Sequence, residues 1–248
     1  MIIAIEGMDG VGKTSAINHL NQFMKLYPFG QKYPAYSYEG AFFSDAEYIK
    51  NTIKLNTEIF FSSKSFIERA NAVRNIDFLH YTDKMLTRST LERNATNGDV
   101  CLYDRYCLSQ AVYAKAMMDI LIEELNAKYN DMPDYYSDDY LRDLRYDVGD
   151  NFYNLPRAKL TIVFVANTEE VLERTKNRES NELIDTQVLY QNKVNSLYNN
   201  REFVERNSNS EHTVIVDTTG MTVVQMANRI EELVAYYSRI SKKWVTIY

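Results

Sequence analysis

The sequence has little cysteine and no excess of positive charge. Its 248 residues include two cysteines, Cys101 and Cys107, which have no companions at metal-ligand spacing. We therefore expect no disulfide framework, and we expect the protein to occupy a reducing compartment. Asp and Glu outnumber Lys and Arg by 34 to 28, which gives a formal net charge of −6. Because nucleic acids and membrane surfaces select a basic face, this balance argues against a general binder of either.

Long apolar runs are also missing. No stretch approaches the roughly 18 apolar residues that a membrane span requires. The first residues, MIIAIEG, lack the basic segment and the apolar length of a secretory signal. There is no internal repeat and no low-complexity tract. We therefore expect a cytoplasmic protein with one domain over residues 1–248, which acts on small molecules and binds neither nucleic acid nor membranes.

Short apolar runs alternate with helical patterns along the chain. MIIAIEG is typical of a buried parallel strand. Similar runs recur at 99–106, 159–166 and 212–220, and 31–40 has the pattern of a strand end that turns into a loop. Apolar spacing predicts helices over 13–27, 44–60, 65–96, 107–130, 167–178 (with Thr168 as cap), 185–207 and 221–237. This order predicts an α/β fold, in which a parallel sheet is covered on both faces and binds ligands beyond its carboxyl edge.

One segment breaks this alternation. Residues 129–157 are acidic and rich in tyrosine, and they contain two of the four prolines. We interpret them as an insertion near the strand ends, which either elaborates the surface or caps a substrate.

A phosphate-binding loop follows the first strand. Gly7, Gly12, Lys13 and Thr14 match the pattern G-x-x-x-x-G-K-[ST]. The glycines allow backbone N–H groups to surround a phosphate, and the next helix adds its positive amino-terminal end. Lys13 would reach the outer phosphates, and the Thr14 hydroxyl would hold Mg²⁺. We also expect three other residues of this loop to contact the nucleotide: Gly10, Val11 and Ser15.

The loop alone does not define the chemistry. The sequence has no N-K-x-D motif of the kind that GTPases use to read guanine, and the strand TIVFVAN lacks the acidic residues expected in a motor ATPase. The chain also lacks a basic stripe for nucleic acid. Phosphoryl transfer to a small molecule is therefore the favoured interpretation.

A second charged motif, YDRYCLSQAVY at 103–113, ends another predicted strand. A buried Asp104 and Arg105 would be costly there unless they contacted a ligand or each other. Asp104 would position an acceptor phosphate oxygen or the water shell of Mg²⁺. Arg105 would hold the acceptor phosphate with its planar guanidinium. The alternative is a structural ion pair within the loop.

The two motifs resemble those of the thymidylate kinase family of nucleoside monophosphate kinases. Residues 7–14 match its G-x-D-G-x-G-K-[ST] loop, residues 104–109 match its D-R-[YFH]-x-x-S motif, and VIVDTTG is similar to its last strand and loop. The resemblance covers most of the chain in order, except 129–157. It implies a P-loop kinase fold, the reaction dTMP + ATP giving dTDP + ADP with Mg²⁺, and a homodimer.

The resemblance also implies roles around the acceptor nucleotide. Asp9 would accept a hydrogen bond from the 3′-hydroxyl of the sugar, and Arg105 would hold the phosphate. Tyr113 would lie against the sugar and base and disfavour a 2′-hydroxyl. Ser109 would touch the base edge.

A lid over ATP is implied as well, and residues 173–185 are the candidate. Arg174 and Arg178 would supply catalytic charge from it, unless Arg178 stacks on adenine instead. Some family members carry a basic residue in the phosphate loop, where this chain has Gly10, so the lid is expected to supply those charges. A closed basic lid would exclude water and neutralise charge as the phosphoryl group moves.

Several positions depart from the family pattern. Tyr36 stands about where many members have an arginine that grips the acceptor phosphate. His80 and Lys84 stand where the family has an aromatic residue that stacks on thymine and, four residues on, an arginine. His can stack, and Lys can meet a phosphate as a point charge. These departures leave the preferred base open.

Two other functions stay open from the sequence alone. One is a deoxynucleoside kinase, or a kinase for another or modified pyrimidine nucleotide. A nucleoside kinase needs a base for the 5′-hydroxyl, and Glu39, in an unclear loop, is a poor candidate. The other is a nucleotide-binding module without catalysis, whose segment 129–157 binds a protein partner; the intact Lys13 and Asp104 argue against it.

Overall fold

The computed structural model describes residues 1–26, 36–39, 46–86, 88–89, 92–93, 100–128, 154–176 and 188–242. In chain order its elements are β1 (Ile2–Gly7), α1 (Lys13–Leu26), β2 (Tyr36–Glu39), α2 (Ala46–Ser62), α3 (Phe66–Leu86), β3 (Cys101–Asp104), α4 (Cys107–Lys128), β4 (Ala158–Val165), α5 (Thr168–Lys176), α6 (Val188–Asn199), α7 (Arg201–Asn207), β5 (Ser210–Asp217) and α8 (Val223–Lys242).

The five strands form one parallel sheet in the order β2-β3-β1-β4-β5. β1 is central, with Ile5 opposite Asp104 of β3 and Gly7 opposite Phe164 of β4. Every residue of β1 and β3 is buried, as expected for parallel strands that are covered on both faces. The predicted α/β fold is confirmed.

The helices that cover the sheet form two groups. α1 packs against α8, whereas α4 packs against α3, α6 and α7. The neighbouring strands β1 and β3 therefore lead into helices of different groups. Parallel sheets bind ligands in the crevice that such a divergence opens at the carboxyl ends of the strands. Both charged motifs of the sequence lie at this crevice.

The helix predicted over 185–207 is in fact two helices. α6 ends at Asn199 and α7 begins at Arg201. Between them, the Asn200 side chain accepts a hydrogen bond from the Phe203 N–H at 3.1 Å and so caps α7. Asparagine bonds to nearby backbone groups in this way, and it favours a helix cap over a helix interior.

The cap of α5 also differs from the prediction. The side-chain oxygen of Asn167 accepts a hydrogen bond from the Glu169 N–H at 2.9 Å, so Asn167 is the cap. Thr168 is the first helical residue, and its hydroxyl accepts a hydrogen bond from the Asn195 side chain at 2.8 Å instead. This bond ties the start of α5 to α6.

Two predicted segments lie mostly outside the described residues. The insertion 129–157 is described only over 154–157, and the lid 173–185 only over 173–176, at the end of α5. In the part of the chain that the structure describes, no helix combines the length and the apolar character needed to cross a membrane.

Candidate active site

The loop between β1 and α1 passes very close to β4. Gly7 has a φ of +139°, and a β-carbon there would lie 2.3 Å from the Phe164 carbonyl oxygen. Because the obstacle is backbone, only glycine fits. Gly10 and Gly12 also have positive φ values, +86° and +96°. The glycine pattern thus occurs in the strand–loop–helix context that phosphate binding requires.

Lys13 is buried against this loop. It is 5% exposed, and its Nζ donates a hydrogen bond to the Met8 carbonyl oxygen at 2.9 Å. Burial, followed by the positive charge of Arg105, lowers the pKa of Lys13 to about 8, although the carboxylates of Asp9 and Asp104 oppose the shift. The ammonium group therefore lies at the phosphate loop and loses its proton at mildly alkaline pH.

Thr14 and Asp104 meet across the crevice. The Thr14 hydroxyl donates to Asp104 Oδ2 at 2.5 Å. Asp104 is buried, and its Oδ1 has no hydrogen-bond partner within the described residues. A buried carboxylate oxygen is costly without a partner, and a divalent cation would satisfy it. The pair fits Mg²⁺, which binds one or two protein oxygens and completes its shell with phosphates and water.

Asp9 joins the phosphate loop to the end of β3. Its carboxylate forms an ion pair with Arg105 Nη2 and accepts a hydrogen bond from the Tyr113 hydroxyl at 2.9 Å. The Arg105 guanidinium lies 4.8 Å from the centre of the Tyr113 ring, a cation–π distance. Burial would raise the pKa of Asp9, but the charges of Arg105 and Lys13 outweigh it and hold this pKa below its usual value. The Asp9 and Arg105 side chains remain 38% and 28% exposed, so both can contact a ligand.

Sequence reasoning missed Glu6 and Tyr198. Glu6 is fully buried in β1, where its Oε1 accepts from the Tyr106 N–H at 2.7 Å and its Oε2 from the Ser109 hydroxyl. Ser109 Oγ also lies 2.8 Å from the Tyr198 hydroxyl and 3.3 Å from Arg105 Nη1. Ser109, for which the resemblance implied contact with a base edge, is thus buried and engaged by protein groups. A carboxylate inside an apolar strand was the signal that could have revealed Glu6.

Arg174 contacts the phosphate loop from α5. Its Nη1 donates to the Val11 carbonyl oxygen at 3.4 Å, and its Nη2 donates to the Thr218 carbonyl oxygen at 3.3 Å and pairs with Glu170. The base of the predicted lid is therefore fixed to the loop and to the segment after β5. Arg178 lies outside the described residues.

His80 and Lys84 lie on α3, which packs against α4. Lys84 Nζ donates to Gln110 Oε1 at 3.4 Å, and the Gln110 amide donates to the carbonyl and the carboxylate of Asp77, both at 2.7 Å. Burial, followed by the charges of Lys84 and Arg105, lowers the pKa of His80 to about 3. His80 is therefore a neutral ring, which suits stacking, whereas Lys84 belongs to a network between the two helices.

The end of β2 adds another acidic position to the sheet edge. Glu39 is the last residue of β2 and pairs in register with Asp104 of β3. Sequence reasoning placed Glu39 in an unclear loop, but the strand puts it at the edge that carries the phosphate loop. Tyr36 begins β2 and pairs with Cys101, so it lies at the other end of this strand. Ser15 is exposed near the start of α1.

The α/β fold matches solved structures of P-loop kinases. A thymidylate kinase from Candida albicans is similar in structure, with a TM-score of 0.59 and 19% identity over 95% of this chain and 91% of that one. Deoxyadenosine kinase from M. mycoides, solved with dATP and with the products dCMP and dCDP, gives TM-scores of 0.56 and 0.55 and identities of 15% and 20%. Both alignments cover 95% of this chain and 100% of that chain. No family model and no curated protein sequence matches the chain. At these identities the similarity establishes the fold.

Proposed function

We propose that this chain transfers the terminal phosphoryl group of ATP to a deoxynucleoside monophosphate, with dTMP the first acceptor to test. The proposal is carried by the Asp9–Arg105 ion pair, which joins the phosphate loop to the end of β3 beside Lys13. A loop that binds only a donor nucleotide has no use for a carboxylate in this position. A site for a second substrate, with a sugar hydroxyl and a phosphate, uses both members of the pair.

On the donor side, the loop from Gly7 to Ser15 would hold the ATP phosphates with its N–H groups and the positive end of α1. Lys13 would exchange its bond to the Met8 carbonyl oxygen for the outer phosphates. Thr14 and Asp104 would hold Mg²⁺, directly or through its waters. When bound, this ion neutralises charge on the phosphates of the donor.

The lid would complete the donor site. Arg174 already contacts the Val11 carbonyl oxygen at 3.4 Å, so the base of the lid lies beside the phosphate loop. Arg178, four residues further along the chain, would add charge or stack on adenine. Closure of such a segment excludes water and strengthens every charge interaction inside the site.

On the acceptor side, Asp9 would accept a hydrogen bond from the 3′-hydroxyl. Arg105 would hold the acceptor phosphate with the N–H groups that Asp9 and Ser109 do not use. The Tyr113 ring, fixed by its bond to Asp9, would lie against the sugar, and His80 would stack on the base. The acceptor phosphate is already a nucleophile, so positioning and charge neutralisation supply the catalysis.

An assay of ADP release tests this proposal. The protein is supplied with ATP and Mg²⁺ and, in parallel, with dTMP, dUMP, dCMP, dGMP, dAMP and the matching deoxynucleosides, and the Lys13→Ala variant serves as the blank. We expect turnover with at least one monophosphate and a turnover about 10²–10³-fold lower in the variant. Binding of ATP without turnover on any acceptor would overturn the proposal and favour a non-catalytic nucleotide-binding module.

A deoxynucleoside kinase is the second candidate, and the position of Glu39 favours it. A nucleoside offers a 5′-hydroxyl that must lose its proton, and Glu39 ends β2 in register with Asp104 at the correct edge of the sheet. Glu39→Gln separates the two functions. Turnover of a deoxynucleoside should be lost in this variant, whereas turnover of a monophosphate, which needs no base, should be retained.

A further inference from the structure

Glu6 is a fully buried carboxylate directly beneath the acceptor side of the site. It belongs to the central strand β1, and burial raises its pKa, although bonds from Ser109 and Tyr106 and the charge of Arg105 oppose the shift. Its Oε1 accepts from the Tyr106 N–H at 2.7 Å, and its Oε2 accepts from the Ser109 hydroxyl. A buried carboxylate is expensive, and the function proposed above assigns Glu6 no contact with either substrate.

The hydrogen bonds of Ser109 have a fixed direction. Its single hydroxyl proton points to Glu6. Its oxygen is therefore an acceptor for its other two neighbours, the Arg105 Nη1–H at 3.3 Å and the Tyr198 hydroxyl at 2.8 Å. A hydroxyl offers one donor and two acceptor positions, so Ser109 has no capacity left. The Glu6 carboxylate thus takes the Ser109 proton and leaves the Ser109 oxygen to accept from both Arg105 and Tyr198.

The backbone of Arg105 depends on the same carboxylate. Arg105 has a φ of +73°, in the left-handed region that a residue with a β-carbon rarely adopts. Its N–H donates to the Ile5 carbonyl oxygen at 2.9 Å, and the next N–H, of Tyr106, is the one that Glu6 accepts. Two groups of β1 therefore hold the strained backbone at Arg105. The Ile5 carbonyl oxygen accepts from the Arg105 N–H, and the Glu6 carboxylate accepts from the Tyr106 N–H.

We propose that Glu6 is a positioning residue for Arg105: it holds the left-handed turn through Tyr106 and orients the guanidinium through Ser109. With Asp9 on Nη2 and Ser109 on Nη1, the guanidinium is fixed on two sides, and its remaining N–H groups are left for the acceptor phosphate. The proposal rests on the function proposed above, in which Arg105 holds the acceptor phosphate.

Glu6→Gln tests the charge and polarity of this arrangement with little change in shape. The amide oxygen of the new side chain still accepts from Tyr106, but its NH₂ group faces Ser109 as a donor. Ser109 must then accept from this amide, and its own proton turns toward the Tyr198 hydroxyl, which loses Ser109 as its acceptor. The negative charge that attracts Arg105 is lost as well. We expect kcat/KM for the acceptor to fall by about 10- to 100-fold, as for other misplacements of a reacting group, while the KM for ATP stays within about twofold.

Two serine variants supply the controls. Ser109→Ala removes the link between Glu6 and Arg105 and should reproduce the loss of acceptor kcat/KM. Combined with Glu6→Gln it should add little, because both changes break one chain of hydrogen bonds. Ser208→Ala removes a buried hydroxyl that donates to the Val204 carbonyl oxygen at the end of α7. It should lower stability and leave both kinetic constants unchanged. Equal losses for acceptor and ATP in the Glu6 and Ser109 variants, or fully additive losses, would overturn the proposal.

A measurement without turnover separates this proposal from the proposed function. In ¹⁵N NMR spectra, a guanidinium held on two sides gives resolved Nη–H signals, and a freely rotating one gives averaged signals. The Arg105 signals are assigned by their loss in Arg105→Lys. We expect them to be resolved in the wild-type protein and averaged in Glu6→Gln and Ser109→Ala. Signals that stay resolved in both variants would refute the positioning role, even if the kinase assay succeeds. If no acceptor is turned over, the NMR result still decides.

Discussion

The Asp9 carboxylate and the Arg105 guanidinium form an ion pair that spans the crevice between β1 and β3. Asp9 stands inside a loop that is otherwise suited to anions, where a negative charge is out of place. Arg105, Lys13 and the Tyr113 hydroxyl explain how the structure tolerates it, since together they stabilise its ionised form. In the proposed function they also orient it toward the acceptor rather than toward the donor phosphates.

Replacing Asp9 should therefore affect one substrate much more than the other. In Asp9→Asn the side chain keeps its shape but loses its charge and one of its two acceptor oxygens, so it can no longer accept from both Arg105 and the sugar hydroxyl. We expect kcat/KM for the acceptor to fall by about 10²-fold, close to the loss of one charged hydrogen bond of about 1.5–3 kcal/mol, with little change in ATP binding. Steady-state kinetics with each substrate varied in turn measure both. An equal loss for ATP and acceptor would count against the assignment of Asp9 to the acceptor.

Lys13 should be required for chemistry rather than for folding. Its ammonium group is buried and donates to the Met8 carbonyl oxygen of the phosphate loop. Lys13→Ala should lower kcat by about 10²–10³-fold, the usual cost of removing one transition-state charge contact. Lys159→Ala is the control, because Lys159 lies near the amino end of β4, away from the site, and pairs with Glu211. Thermal unfolding of both variants shows whether either loss reflects folding. Full activity of Lys13→Ala would contradict the assignment.

Much of this architecture could be predicted because it depends on local patterns. The alternation of apolar strands with helical periodicity, the glycines of the loop and the charged pair Asp104–Arg105 are each contained in a few consecutive residues. The parallel sheet then requires the ends of its strands to meet at one edge. Asn200 is an exception: its side chain ends a helix within a sequence that keeps its helical periodicity.

The contacts beneath the site could not be predicted, because they join distant parts of the chain. Glu6 and Tyr106 are 100 residues apart, and Ser109 and Tyr198 are 89 apart. Such pairs depend on which strands are neighbours, and the order β2-β3-β1-β4-β5 is not written in any single segment. The same applies to Glu39, whose place beside Asp104 follows from the pairing of β2 with β3.

The pH dependence of the reaction should report on Lys13. Burial and then the charge of Arg105 lower its pKa from 10.5 to about 8, so the free enzyme loses this positive charge as the pH rises above about 8. Because kcat/KM for ATP reports on the free enzyme, it should fall by about tenfold per pH unit above that value. Lys13→Arg is the matched control: it should be less active, but flat between pH 7 and 10, because arginine keeps its charge. A wild-type profile that is equally flat would exclude a lowered pKa.

The expected fall of kcat/KM for ATP at alkaline pH can be distinguished from alkaline unfolding of the protein. Between pH 8 and 10.5 the folded protein binds fewer protons at Lys13 than the unfolded chain does, because the folded pKa is the lower one. The contribution of this group to stability therefore rises with pH over that range. Urea unfolding at pH 7.5 and 9.5, compared between wild type and Lys13→Arg, isolates this contribution.

Removing the hydroxyl group from each of two buried tyrosines of α6 should change the stability of the protein in different directions. The Tyr198 hydroxyl bonds to Ser109 at 2.8 Å, whereas that of Tyr190 has no partner within the described residues. Tyr198→Phe should cost about 1 kcal/mol, a Tm decrease of about 2–4 °C for a domain of this size. Tyr190→Phe removes only an unsatisfied polar group, so Tm should stay the same or rise.

The Tyr190 hydroxyl also allows a test of whether the bound acceptor forms a hydrogen bond with it. Its ring lies against Tyr113 at 6.1 Å, and burial, followed by the negative charge of Asp9, raises its pKa. A hydroxyl near the acceptor groups becomes useful if the acceptor bonds to it. The increase in Tm produced by saturating acceptor should then be smaller in Tyr190→Phe than in the wild type, although the unliganded variant is at least as stable. Equal increases would show that the acceptor does not use this hydroxyl, and a lower Tm of the unliganded variant would show that the hydroxyl already has a partner.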